Sequence, residues 1–261
     1  MYPILIRFGS FELETYFTLI SVALVMGTLY ALKRASSLIK TSTSFFDLLI
    51  VLIISAYLGA RLFHVFFELP RFYINNPLEI FKVWKGGFVA YGSFITSLIA
   101  GIVFIYKKKL PGFEIADILA APIMLTIGVG RISCFLTGCC YGKPTDSWVG
   151  VKFPELSQAP SNISIHPTQL YMSFSAFVIL LFILYVENKL KKHYFPGLSF
   201  SLVLIFYPIS RFIVEFYRND FRGETYLFLS ISQLLSFFLI ALGITVFLIA
   251  KKKDSSTRIL H

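Results

Sequence analysis

The chain is poor in charge. Only 15% of its 261 residues are Asp, Glu, Lys or Arg, against about 25% in an ordinary soluble domain. By contrast 56% are hydrophobic, and the mean hydropathy is +0.75. So few charges cannot cover the apolar surface of a soluble fold of this length, which excludes that class and makes lipid the medium. Cysteine is scarce as well: there are three, an odd number, with Cys139 and Cys140 adjacent, so no disulfide framework is implied. The opening MYPILIRFGSFELE lacks the basic n-region of a cleavable signal peptide. There is no low-complexity tract and no repeat with a period of about 20–50 residues. A continuous basic face is missing too. The net charge of +10 sits in short clusters between apolar spans, which argues against a nucleic-acid partner. The expectation is one integral membrane domain over residues 1–261.

What the chain has instead is long apolar runs. A helix needs about 20 apolar residues to cross a bilayer core, and seven runs qualify: 13–32, 46–67, 88–106, 115–137, 168–187, 197–216 and 227–250. Lipid offers backbone amides no water, so spans of this length are helical. Lys33, Arg34 and Lys40 follow the first span, Lys107, Lys108 and Lys109 the third, Lys189, Lys191 and Lys192 the fifth, and Lys251, Lys252 and Lys253 the seventh. Positive clusters mark the cytoplasmic side. The expected fold is therefore an all-α polytopic membrane protein with seven transmembrane helices, its N-terminus outside and its C-terminus cytoplasmic. Three longer connectors, 68–87, 138–167 and 217–226, fall on the outer side. They carry Pro70, Trp84, Lys85, the cysteine stretch, His166, Pro167 and Arg218–Asn219–Asp220. Long polar connectors on one face are what outer-face chemistry requires.

Three arginines interrupt the spans: Arg61 in LGARLFHVFFE, Arg131 in GVGRISCF and Arg211 in FYPISRFIVEFYRND. A charge at mid-bilayer costs about 2.5–3.5 kcal/mol on insertion scales. The plainer reading is snorkelling to the interface, with Glu215 as the i+4 partner of Arg211. Taken together, the three fall in the outer halves of different helices. Gathered cations need an anion, and the guanidinium fork fits phosphate oxygens. A phospholipid headgroup is the anion at hand. Tyr16, Tyr57, Tyr91, Tyr171 and Tyr207 are hydroxyls on apolar helices, either an interfacial belt or part of that cavity. Tyr91 and Tyr207, beside Gly, Ser or Pro, are the better functional candidates. Gly86, Gly87 and Gly92 allow close approach of a lipid chain or helix.

These motifs, in order, resemble one family. LETYFTLIS, GARL, KGGFVAYGS, IADILAAPIMLTIGVGRISCF, HPTQLY and YPISRFIVEFYR are similar to the stretches of prolipoprotein diacylglyceryl transferase, a bacterial inner-membrane enzyme. The resemblance implies transfer of an sn-1,2-diacylglyceryl group from phosphatidylglycerol to the lipobox cysteine of a prolipoprotein signal peptide, with release of glycerol 1-phosphate and no cofactor. It implies that Arg131 and Arg211 are the essential arginines, Tyr16 and Tyr207 site tyrosines, Gly142 the loop glycine and His166 the start of the HP-[ST]-Q motif. Arg61, Gly87, Gly92 and Glu215 join them as substrate-binding candidates. Where the family carries His, Asn and Glu, this chain has Tyr91, Cys134 and Cys139, the marks of a divergent branch.

Chemically, the displaced phosphate needs its growing charge neutralised, a task for Arg131 and Arg211. The attacking thiol, of pKa about 8.5, must lose a proton. Tyr91, His166, His64 and the departing phosphate itself stand open as acceptors. His166 is equally readable as the cap of the fifth helix, His64 as a packing residue, and Asp117 as a carboxylate at the N-terminus of its own helix. For the cysteines, a metal site fits poorly, because CxxxxCC offers neither four ligands nor a histidine pair. A 134–139 or vicinal disulfide and a small apolar role remain. Two rival functions differ in class. A lipid-binding paralogue that has lost transfer is compatible with Tyr91. A small anion transporter calls for inverted repeats that the sequence lacks.

Overall fold

The computed structural model describes residues 4–8, 11–38, 42–83, 86–191, 194–219 and 229–259. Lys40, Trp84, Lys85, Lys192, Asp220 and most of the 217–226 connector lie outside the described residues. The chain forms two compact units, Met1–Ala31 with Ala116–His261, and Leu32–Ile115. A hairpin, β1 (Ile4–Phe8) and β2 (Phe11–Glu14), leads into α1 (Thr15–Leu38). Next come α2 (Ser42–Phe63), the short α3 (Pro70–Asn75), α4 (Ala90–Lys107) and α5 (Gly112–Thr137). The two-stranded pair β3 (Val151–Lys152) and β4 (Ser164–Ile165) precedes α6 (Thr168–Lys189), α7 (Leu198–Glu215) and α8 (Ile231–Ile259).

Among the described residues, six helices are long and apolar enough to cross a membrane, spanning Thr15–Ser36, Thr43–Glu68, Gly112–Thr137, Thr168–Lys189, Leu198–Glu215 and Ile231–Ser255. The third expected span, 88–106, is realised differently. Residues 86–89 form no regular element, with Gly86 and Gly87 at positive φ and the Val89 amide donating to the Ala60 carbonyl at 3.1 Å. Helix begins at Ala90, two positions after the expected start, and runs to Lys107. The second span ends in a π-helical turn, His64–Glu68. The longer connectors also hold structure that an all-α reading omits: α3 and a 3-10 turn, Pro77–Phe81, in one, and the β3–β4 pair in another. The two small hairpins add strand to an otherwise helical fold.

Small residues let the helices meet. Within the smaller unit α2 packs on α4, where a Cβ at Gly92 would come 2.6 Å from Phe63 Cβ and closer still to the Gly59 carbonyl. Thr96 spans this contact by donating to the Ser55 carbonyl at 2.7 Å. In lipid, where apolar surface gains nothing by leaving the solvent, such close approach and hydrogen bonding hold helices together. In the larger unit Ser173 on α6 donates to the Gly128 carbonyl on α5 at 2.7 Å. The core there is built from Ala120, Ala121, Met124, Ile179, Ile183 and Val203.

Asp117 does more than decorate its own helix. It is 5% exposed, and it accepts from the Gly197 amide at 2.7 Å, the Phe200 amide at 2.8 Å and the Tyr194 hydroxyl at 2.6 Å. A side chain of α5 thereby satisfies the open N–H groups at the start of α7. Burial and then the Asp117 carboxylate push the Tyr194 phenol above its ordinary value. Asp117→Ala would strand these donors at a cost of about 1–3 kcal/mol, read as earlier thermal unfolding in detergent. An unchanged melting profile would show that water replaces the carboxylate.

Candidate functional site: an arginine, phenol and thiol cluster

The candidate site of the larger unit gathers at the C-terminal end of α5. Arg131 is two turns from the end of that helix, and three residues later on the same face comes Cys134. From α7, Tyr207 supplies a phenol that hydrogen-bonds Arg131. Tyr16 at the start of α1, Cys134 and Cys140 lie within electrostatic reach of the same guanidinium. Partial burial strengthens these interactions, because a charge–dipole contact gains as water is excluded around it.

Arg211 follows Tyr207 by one helical turn, an i,i+4 spacing that puts their Cβ atoms about 6 Å apart on one face of α7. Pro208 between them donates no bond to the Leu204 carbonyl and loosens this turn. Arg211 is 9% exposed. Its Nη1 pairs with Glu215 Oε2 at 2.5 Å, and its Nη2 donates to Ser232 Oγ on α8 at 2.9 Å. Glu215 thus fixes the fork, and the guanidinium faces α8.

Gly142 is squeezed between two backbones. A Cβ there would come 2.5 Å from the His166 carbonyl and 2.8 Å from that of Tyr217. The Gly142 amide donates to the His166 carbonyl at 3.1 Å, and the Lys143 amide to the Tyr217 carbonyl at 2.7 Å. The loop after α5 is thereby stitched to the entrance of α6 and the exit of α7. Gly142→Ala is expected to lose about 1–3 kcal/mol by overpacking, and to lower transferase turnover more than Gly150→Ala does. Equal losses in both variants would remove this site-specific role.

His166 does not cap α6: the N-cap position belongs to Pro167, and no side chain bonds the helix end. Its Nδ1 shares a hydrogen bond with Tyr171 Oη at 2.9 Å, and its ring stands edge-on to Tyr217, 5.1 Å between centroids. The Pro167 cyclic amide cannot donate, so the turn is closed instead by the Thr168 amide bonding the His166 carbonyl.

The remaining candidates belong to the smaller unit. Arg61 neither snorkels nor faces solvent. Its Nε donates to the Ile80 carbonyl at 3.1 Å, Nη1 to Gly86 at 2.5 Å and Gly87 at 3.2 Å, and Nη2 to Glu79 at 2.6 Å. The guanidinium also lies over the Tyr73 ring, 5.3 Å from its centroid. Four donors are therefore spent holding the 76–87 loop, which shifts Arg61 from an anion ligand to a clamp. Gly87, at φ +81°, takes a backbone conformation that favours glycine, with Arg61 and His64 where a Cβ would stand. His64 Nδ1 shares a hydrogen bond with Tyr73 Oη at 3.0 Å. These groups line a cavity of about 400 Å³. Gly92 serves the α2–α4 packing described above. The side chain of Tyr91 lies outside the described residues.

Two residues gain weight only in three dimensions. Arg218, read from sequence as a connector residue, is 7% exposed, and its charge reaches Cys140. The signal for it was its place at the end of RFIVEFYR. Gln169, 1% exposed, donates from Nε2 to the Cys139 carbonyl at 2.6 Å, while its Oε1 is buried with no partner among the described residues. The three cysteine sulfurs lie within 4.8 Å of one another. Hydrogen bonds from Cys134 and Cys139, then the charges of Arg218 and Arg131, hold the Cys140 thiol below its ordinary value.

Comparison with known proteins agrees with the motif order. Residues 3–249 match the family model for prolipoprotein diacylglyceryl transferase. The phosphatidylglycerol–prolipoprotein diacylglyceryl transferase of Clostridium tetani is 37% identical over 247 residues, 95% of this chain and 97% of the relative. Transferase 2 of Clostridium perfringens is 36% identical, with 93% of each chain covered. The enzyme of the Brugia malayi Wolbachia is 34% identical over 98% of this chain and 97% of its own. A half-buried arginine bonded to a phenol near the end of a membrane-length helix, within a match this long, leads to one conclusion: the chain belongs to the prolipoprotein diacylglyceryl transferase family.

Proposed function

We propose that the chain transfers the sn-1,2-diacylglyceryl group of phosphatidylglycerol to the lipobox cysteine of a prolipoprotein signal peptide, the first step of bacterial lipoprotein maturation. The observation that carries this reading is the half-buried Arg131 guanidinium, hydrogen-bonded to Tyr207, which lies one helical turn from Arg211. In the reaction the incoming thiol sulfur forms a bond to the glyceryl carbon as that carbon's bond to the phosphate oxygen breaks. Glycerol 1-phosphate leaves with the electron pair, and the thiol proton passes to the departing phosphate. Arg131 and Arg211 neutralise the charge that grows on the phosphate oxygens, and they cannot lose their own protons. Tyr207 orients Arg131, Glu215 orients Arg211, and Tyr16 lines the approach beside Arg131. His166 and Gly142 hold the loop.

The clusters Lys33–Arg34, Lys107–Lys109, Lys189–Lys191 and Lys251–Lys253 support seven crossings with α4 included, an outer N-terminus and residence in the bacterial inner membrane. The family match runs through both units, which supports one transferase domain.

The test uses the full chain in phosphatidylglycerol vesicles with a lipobox peptide. The expected result is a diacylglyceryl thioether on the peptide and an equal amount of glycerol 1-phosphate. Lipid binding without either product would replace the reading with that of a binding paralogue.

A further inference from the structure

Three thiols meet beside Arg131, and the transfer reaction does not use them. Cys134 comes from the last turns of α5, and Cys139 and Cys140 from the turn that follows. The turn is held by α6: Thr168 Oγ1 donates to the Cys140 carbonyl at 2.7 Å, and Gln169 Nε2 to the Cys139 carbonyl at 2.6 Å. Cys140 sits at φ +59°, a left-handed conformation that disfavours side chains other than glycine. Strain of this kind persists only where the surroundings enforce it. Here it places the third sulfur within 4.8 Å of the other two.

The geometry points to a three-thiolate site for a soft low-valent metal ion, copper(I), formed by Cys134, Cys139 and Cys140. A metal–thiolate bond of about 2.3 Å sets ligand sulfurs about 4.0 Å apart in a trigonal plane, so closure moves each by under about 1 Å. Among the described residues no His, Asp or Glu joins the three sulfurs. A structural zinc site wants four ligands, whereas soft thiolates alone suit copper(I). Charge supports the same ion. Three thiolates around one monovalent cation leave a net charge of −2, and Arg131 and Arg218 both lie within electrostatic reach of Cys140. The three thiol protons pass to solvent on binding. The bound ion ties the end of α5 to the loop that α6 supports.

The sequence pattern CxxxxCC argues against a metal only when four ligands are required. Backbone strain and the anchoring by Thr168 and Gln169 supply what spacing does not reveal.

The test is anaerobic titration of the full chain in detergent with copper(I), buffered by a chromogenic copper(I) chelator. One ion per chain is expected, with three sulfur scatterers at about 2.3 Å in X-ray absorption and protection of all three thiols from alkylation. Cys134→Ser, Cys139→Ser and Cys140→Ser should each weaken binding by more than about tenfold. Unaltered chromatographic behaviour and thermal unfolding of each variant separate lost ligands from lost fold. Copper bound equally by the variant lacking all three thiols would overturn the proposal. Two-sulfur ligation, or a disulfide recovered from intact membranes in place of copper, would also overturn it.

Discussion

Arg131→Lys is expected to lower diacylglyceryl transfer by about 10²–10³-fold, the usual cost of removing one preorganised donor at developing charge. The charge survives in this variant, so the loss isolates geometry. A lysine ammonium is a compact point charge that cannot fork between the Tyr207 phenol and two phosphate oxygens. Tyr207→Phe should lose less, roughly tenfold, because the phenol orients the guanidinium without bearing charge. Initial rates with labelled phosphatidylglycerol check both. Full activity in Arg131→Lys would take Arg131 out of the phosphate site and leave Arg211 as its remaining arginine.

The second large effect falls on stability. Glu215→Ala leaves the Arg211 guanidinium buried without its carboxylate, in a pair whose side chains are 11% and 8% exposed. Breaking one half of such a pair costs about 3–5 kcal/mol, so the variant should unfold markedly earlier in detergent. Adding Arg211→Met removes the stranded charge and should restore most of the stability. It should not restore transfer. That split distinguishes an ion pair kept for the fold from one that aims a phosphate ligand. Restored transfer in the double variant would take Arg211 out of the reaction.

Much of the fold is readable along the chain because hydropathy is a local property. Six expected spans return as crossing-length helices among the described residues, with ends displaced by a few positions. The third starts two positions late, at Ala90, after the Val89 amide bonds the Ala60 carbonyl, a contact across 29 positions of sequence that no window detects. At the site, the ordered motifs lead to Arg131, Arg211, Tyr16, Tyr207 and Gly142, which all fall in one unit. They do not reveal that Arg61 is consumed by loop carbonyls, since a carbonyl has no sequence signature. Nor do they reveal that Asp117 serves α7 instead of α5. Both assignments depend on which groups remain unsatisfied after the helices have packed.

Composition along the chain dictated the solvent, the helical spans and the family, because scarcity of charge and the order of short motifs are independent of how the helices meet. Packing alone determined which buried donors and acceptors found each other. The gathering of three sulfurs beside two guanidiniums, the bracing of Arg211 by Glu215 and Ser232, and the diversion of Arg61 to a loop all follow from distances between separate elements. Such distances come from side-chain volumes and backbone turns acting together, and a linear string of residues does not specify them one at a time.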